Sequence, residues 1–288
     1  MHASTPAREG HPLRFSTIDA ADLADHADTI EAIYDARHTG IVVRGAFPAE
    51  RTAATVARLG AADLADQWAA PNAGMTGGEI RTIGDAATPT FTALRGPSIE
   101  RYGDNVAQHA RRAAAVFGDA DGPTPAVQGL LGGLFGGRPA APPVFDDGFT
   151  WAPYNLRALD PGQQIYSHHD NHFGLEVYKR MPTDLDRTTI LSWFITLQAP
   201  DAGGELVVYG LWGSDPNLPM LPTRFIDTAA LEAHFAKEII DLRAGDLVVF
   251  DAGRHVHRVA PIQGARPRLT MGGFLTIDTA RTRLAFWS

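Results

Sequence analysis

The sequence predicts an α+β protein: a double-stranded β-helix, or jelly roll, with flanking helices. Three observations carry this expectation. From Phe149 onward, short runs rich in Val, Ile, Leu, Phe and Tyr follow one another, with roughly seven or eight candidate strands in about 130 residues. Turn signals separate them, at Asp160-Pro-Gly162, Asp201-Ala-Gly-Gly204 and Ala244-Gly-Asp246. The first half is instead alanine-rich with apolar residues at helical spacing, and the 29 Gly and 20 Pro suit many turns better than a helical bundle.

In chain order, residues 1–12 read as a flexible polar tail. Leu13–Ser16 reads as a short strand, Asp19–Arg37 as a helix, and Ile41–Arg44 as a buried strand closed by Gly45. Pro48 suits the first turn of a helix running to about Leu59. Residues 61–97 are rich in Gly, Thr and Pro and lack clear periodicity, so they read as a long loop and a candidate lid. Helices are expected over Ser98–Phe117 and Thr124–Leu134, followed by a Gly- and Pro-rich connection. The glycines Gly132 to Gly137 do not form a phosphate cradle, because no Lys-Ser or Lys-Thr follows. The expected strands are then Trp151–Leu159, Gln164–His169, Thr189–Leu197, Glu205–Tyr209, Leu247–Phe250, Val256–Ala260 and Arg268–Ile277, with a helix over Thr228–Lys237. No linker divides the chain, so 13–288 reads as a single domain, with a mainly helical portion over 13–148 and the jelly-roll core over 149–288.

Composition excludes several functions. The net charge is −8 with no block of lysines, which disfavours a nucleic-acid partner. The absence of cysteine removes disulfides, thiolate metal sites and cysteine nucleophiles. No apolar run reaches membrane-spanning length, and the first residues lack the apolar core of a secretion signal. The expectation is a cytoplasmic protein acting on a small molecule. The sequence does not fix the oligomeric state.

The chemistry centres on Gln164-Ile-Tyr-Ser-His-His-Asp170. Side chains alternate faces along a strand, so His168 and Asp170 point one way and His169 the other. An imidazole and a carboxylate on one face supply two of the three ligands of a 2-His-1-carboxylate iron(II) site. The third candidate is His257, which follows Gly245-Asp-Leu-Val-Val-Phe250. Eleven residues further on, Arg268 could hold a dicarboxylate by paired hydrogen bonds, with Thr270 on the same strand face. His255 stands in the same relation to Arg266, so spacing alone leaves the pairing open. Val259 and Pro261 after His257 favour His257. Arg157, on the preceding strand, could reach a cosubstrate or a substrate; a strand-end ion pair is its bland alternative. His172 is a substrate-contact candidate if its strand continues. Asp246 reads as shaping its turn, Arg254 and Arg266 as solvated or ion-paired, and Trp151, Trp193 and Phe194 as core.

These residues resemble the iron(II)/2-oxoglutarate-dependent oxygenases, and within them the carrier-independent aliphatic halogenases of indole-alkaloid pathways. The most specific segments are Ile41–Pro48, Ala199–Tyr209, Gly245–Arg258, Arg268–Phe274 and the closing Phe286-Trp-Ser288, whereas about 61–148 matches poorly. The resemblance implies iron bound by His168 and His257, and 2-oxoglutarate held by Arg268 with help from Thr270; Arg157 is a further cofactor-binding candidate on its strand placement alone. The resemblance also implies a role for Ser192 beside the iron-bound oxygen. One position departs. Those halogenases carry glycine where this chain has Asp170, and the missing carboxylate makes room for chloride. The expected activity is therefore hydroxylation of an aliphatic C–H of a small molecule in natural-product metabolism, using Fe(II), 2-oxoglutarate and dioxygen. The same centre performing halogenation, desaturation or ring formation is the alternative. A cupin-like metal protein that is no oxygenase is a distant one, which Arg268 argues against; a zinc hydrolase lacks a catalytic glutamate.

Overall fold

Two facing β-sheets build a jelly roll in the computed structural model. It describes residues 10–61, 69–72, 80–83, 106, 111–118, 122–144, 150–171, 173–174, 178–179 and 181–288. The strands are β1 (Phe15–Asp19), β2 (Gly40–Arg44), β3 (Ala69–Asn72), β4 (Ile80–Ile83), β5 (Ala140–Ala141), β6 (Asn155–Leu159), β7 (Ile165–His168) and β8 (Leu191–Gln198). They continue as β9 (Ala202–Gly203), β10 (Leu206–Trp212), β11 (Lys237–Ile240), β12 (Leu247–Phe250), β13 (His255–Val259), β14 (Ile262–Gln263), β15 (Arg268–Ile277) and β16 (Leu284–Trp287). The larger sheet runs β1-β2-β12-β8-β15-β6-β4-β3, with β16 also on β15 and β5 beyond it. The smaller sheet runs β11-β10-β13-β7, and β9 pairs with β14.

The large sheet is apolar on both faces, which is why β2 and β12 read as continuous Val/Ile runs. Its outer face carries Ile41, Val43, Trp193, Ile195, Val249 and Met271. Helices α1 (Thr29–Tyr34), α2 (Ala49–Leu59) and α3 (Thr124–Gly133) cover that face through Ile30, Ile33, Leu59, Val127 and Leu131. Its inner face packs Val42, Val248 and Phe250 against Leu206 and Val208 of the small sheet. Helix α4 (Thr228–His234) closes the outside of the small sheet through Leu231, which meets Val207, Tyr209 and Val256.

Several boundaries differ from the sequence expectation. The helix expected over Asp19–Arg37 is a 3-10 helix (Ala20–His26) followed by α1, with Asp28 at the second start. Asp28 leaves the helical conformation between the two (φ −100, ψ 5), and its side chain makes no capping bond. Pro48 precedes α2 as its cap and is not its first helical residue. The helix expected over Thr228–Lys237 stops at His234, because Lys237–Ile240 pairs with Leu206–Tyr209 as β11. Strand β6 starts at Asn155, four residues after the expected Trp151. Of the 61–97 loop, Ala69–Asn72 and Ile80–Ile83 form a strand pair; residues 62–68, 73–79 and 84–97, and with them most of the candidate lid, lie outside the described residues. The helix expected over Ser98–Phe117 is described as helical over 111–117. Of the expected tail, residues 1–9 lie outside the described residues, while His11 is fastened: its N–H donates to the Gly210 carbonyl at 2.8 Å and its ring stacks on Trp212. No described helix is long and apolar enough to cross a membrane.

The turn feeding β12 shows why the sequence signal there was strong. Gly245 has φ +89, and a Cβ on it would lie 2.5 Å from the Phe47 carbonyl oxygen, so only glycine fits. Asp246 shapes this turn as expected. Its carboxylate accepts from the Arg243 and Gly45 N–H groups and pairs with Arg44.

Candidate metal centre

Strand β7 delivers His168 and the chain just after it delivers Asp170, while β13 delivers His257 from the neighbouring strand. His168 and His257 are directly opposite in the β7–β13 ladder, with ring centroids 4.2 Å apart. Asp170 is held by its own N–H, which donates to the Ala252 carbonyl at 2.8 Å in the turn between β12 and β13. One ligand atom from each of the three residues lies within 4.8 Å of the others. Asp170 Oδ1 is 3.6 Å from His168 Nε2, and Oδ2 is 3.4 Å from His257 Nε2.

The imidazole tautomers follow from their partners. His168 Nδ1 lies 2.7 Å from the Tyr166 carbonyl oxygen, and His257 Nδ1 lies 3.0 Å from the His255 carbonyl oxygen. A carbonyl only accepts, so each Nδ1 carries the hydrogen and each Nε2 keeps a lone pair aimed at Asp170. Two nitrogen lone pairs and a buried carboxylate converging on one point form a donor set for a divalent transition metal. The ring of Phe250 stands edge-on to His257, with centroids 5.0 Å apart, and shields its other side.

The structure separates the histidines that spacing left ambiguous. His255 Nδ1 donates to the Tyr209 carbonyl and Nε2 accepts from the Trp212 indole at 3.3 Å, so both nitrogens are engaged. Burial holds its imidazole down to about 4, which keeps it neutral. His169 packs on Gly213, where a Cβ would sit 2.2 Å from its ring, and points away from the triad. His172 lies outside the described residues.

Arg268 and Thr270 share the inner face of β15. Arg268 is 4% exposed, and its guanidinium lies over the Phe194 ring, 4.9 Å from the centroid. Among the described residues, no carboxylate and no hydrogen-bond acceptor pairs with it. Burial, aided by the charge of Arg157, pushes its guanidinium down to about 9, so an anion there would be strongly favoured. Arg157 is opposite Thr270, and its charge is disfavoured by burial and favoured by Asp170. The strand-end ion pair considered for Arg157 is absent among the described residues. A cavity of about 140 Å³ opens at the Arg268 end, lined by Thr196, Gly204, Glu205, Asp241 and Leu242 among others, and touches none of the triad.

Ser192 is on the inner face of β8, opposite Phe250 and Phe274, and its hydroxyl donates to the Gly273 carbonyl at 3.3 Å. Trp151 and Trp193 are fully buried core, as expected, whereas Phe194 is half-buried on the inner wall beneath Arg268. Arg254 pairs with Asp251 and donates to the Ile33 and Tyr34 carbonyls, and Arg266 pairs with Asp201. The sequence reading missed Thr196, whose buried hydroxyl has no partner among the described residues and which stands opposite Thr270. It also missed Asn155, two residues before Arg157 on the same face. Strand alternation from Ser192 and Arg157 would have indicated both.

A family model described as carrier-protein-independent halogenase WelO5 matches residues 12–288. No curated protein matches the chain. Among solved structures, an N-substituted L-amino acid dioxygenase from Burkholderia ambifaria AMMD, in complex with alpha-KG, is 17% identical; 90% of each chain is covered, with a TM-score of 0.53. A second structure of that dioxygenase is 16% identical, covering 90% of this chain and 91% of that one, with a TM-score of 0.53. Identity this low speaks for the shared jelly roll alone. The family match spans nearly the whole chain, from the lead-in to β1 to Ser288, and the protein belongs to the carrier-protein-independent halogenase WelO5 family of enzymes.

Proposed function

We propose that the protein is an iron(II)- and 2-oxoglutarate-dependent oxygenase that hydroxylates an aliphatic C–H of a small molecule. The observation that carries this is Asp170, a carboxylate between the Nε2 atoms of His168 and His257 at 3.6 and 3.4 Å. These three residues would hold iron, whose chemistry is to couple decarboxylation of 2-oxoglutarate by dioxygen to oxidation of the C–H bond. The unpaired guanidinium of Arg268 on the same inner wall supports a dicarboxylate cosubstrate. It takes the far carboxylate by a planar two-bond fork, with the Thr270 hydroxyl beside it. The apolar wall around Phe250 and Val248 keeps bulk water from the triad.

The family description favours halogenation as a second reading. Asp170 weighs against it, because a carboxylate fills the position and supplies the charge that a halide would. Residues 13–288 are taken as one catalytic domain, since β2, β12 and β15 belong to one sheet, whose inner face packs on the smaller sheet that carries His168 and His257.

Arg268→Ala is expected to raise the half-saturating 2-oxoglutarate concentration about 100-fold or more, the equivalent of two charge-assisted hydrogen bonds worth about 3 kcal/mol together. Iron binding should survive. If Arg266→Ala produces this effect and Arg268→Ala does not, the cosubstrate assignment is wrong. Ser192 tunes the outcome. Its single 3.3 Å bond to a carbonyl is weak enough to leave the hydroxyl free to turn toward an iron-bound group. Ser192→Ala should cost about 1 kcal/mol of stability or less while changing product distribution or the ratio of succinate to product. An unchanged profile would reduce Ser192 to packing.

A further inference from the structure

We infer that Arg157 recognises a carboxylate on the substrate, so that the substrate class is an apolar acid. This rests on the oxygenase reading above and names the substrate of that same site.

The register of the large sheet lines up one polar row across its inner face. Thr82 on β4 stands opposite Arg157 on β6, Arg157 opposite Thr270 on β15, and Thr270 opposite Thr196 on β8. Cross-strand partners share a face, so these side chains converge on one wall. Arg268 precedes Thr270 by two residues and lies further from the triad. The electrostatics agree: the charge of Asp170 acts on Arg157, whereas the charge acting on Arg268 is that of Arg157. Arg157 therefore stands between Arg268 and the metal ligands.

Among the described residues, the Arg157 side chain makes no hydrogen bond and no ion pair. It retains accessible surface, although protein atoms surround it closely enough to disfavour its charge. An embedded guanidinium with no partner is costly unless a ligand supplies the anion. The two carboxylates of 2-oxoglutarate are both accounted for, the far one by Arg268 and the near one by the metal. Iron(II), Asp170, 2-oxoglutarate and the two arginines together leave one positive charge unmatched, and that charge is on Arg157.

The level of the wall nearest the triad is apolar. Ser192 stands between Phe250 and Phe274, and the Phe250 ring touches His257. A substrate with its acid group on Arg157 lays its hydrocarbon part along these rings, toward the triad. Arg157 is thus a specificity-determining residue and carries no part of the bond-breaking step.

The test uses the zinc-substituted protein, in which no turnover occurs. Phenylacetate and phenylacetamide serve as probes of equal shape, titrated calorimetrically with 2-oxoglutarate saturating. The native protein should bind phenylacetate at least about tenfold more tightly than phenylacetamide, the worth of one charge-assisted pair. Arg157→Gln should abolish that preference and leave the Kd of 2-oxoglutarate within about threefold of native. Should Arg157→Gln not fold, Arg157→Lys keeps the charge without the planar fork and should retain only part of the preference. The inference is overturned if Arg157→Gln weakens 2-oxoglutarate tenfold or more, which would make Arg157 a cosubstrate contact. Equal binding of acid and amide, or no binding of either, overturns it as well. If instead 2-oxoglutarate fails to bind the native zinc protein, the oxygenase reading falls, while the acid-over-amide comparison, run without 2-oxoglutarate on native and Arg157→Gln proteins, still decides the role of Arg157.

Discussion

His257→Ala is expected to abolish stoichiometric iron binding and reduce turnover to background. Losing a residue that merely orients a metal ligand already costs about 10–100-fold in affinity, and removing a ligand costs more. The two remaining ligands cannot compensate, because Asp170 and His168 sit on one short stretch and bind from one side only. Among the described residues, no neighbouring histidine can substitute. His255 uses both nitrogens, on Tyr209 and Trp212, and His169 faces Gly213. The measurement is competition for Fe(II) against a chelator, with metal content and succinate release read on the same sample. His255→Gln is the informative control. It should lower thermal stability by disturbing the Trp212 contact and leave metal stoichiometry at one. If His257→Ala retains iron at native affinity and His255→Gln loses it, the centre has been assigned to the wrong histidine.

The native protein, given its substrate in high chloride or bromide, is expected to yield product that has gained oxygen and no halogen. Asp170 is the reason. Its backbone is pinned to Ala252, and its two oxygens face both imidazoles, so the carboxylate is preorganised where a halide would otherwise bind. Its negative charge adds electrostatic exclusion to the steric one. Labelled dioxygen and product mass spectrometry give the answer directly. Asp170→Gly should open the position and cut oxygenation by at least the roughly 10–100-fold that losing a group which merely orients a ligand costs. Halogenation by that variant should be low at best, because a halide also needs a shaped pocket and a substrate held nearer to it than to the oxygen donor. A halogenated product from the unmutated protein would remove Asp170 from the metal centre and restore the activity named in the family description.

Much of this was already written in the chain. Alternation along a strand is local physics: it puts Arg268 with Thr270 without knowledge of any other strand, whereas Asp170 lies past the end of β7 and is held beside His168 by its N–H bond to Ala252. Binary patterning and turn residues located β7, β8, β10, β12, β13 and β15 to within a few residues, because each is a short apolar run bounded by Gly, Pro or Asp. The two-residue strands β5, β9 and β14, and β11, had no such signal. They are strands because a partner offers its edge, as when Lys237–Ile240 pairs with β10 and shortens a helix that propensity alone would extend.

Spacing alone left His255 and His257 open, the Val-x-Pro after His257 favoured it, and the tertiary structure shows why His255 is engaged elsewhere. The two are two residues apart on one strand, and alternation assigns them the same face. The ladder between β10 and β13 decides otherwise. His257 stands opposite Val208 and His255 opposite Trp212, so two extra residues bulge out of β10 between them. The bulge turns the strand, sends His255 into the Trp212 and His11 rings, and leaves His257 facing Asp170. The polar row through Arg157 has the same origin. Thr82, Thr196 and Thr270 come from strands far apart in sequence, and only long-range pairing in one register brings them to a common wall. Local sequence determines which way a side chain points along its own strand; register between distant strands determines what it meets there.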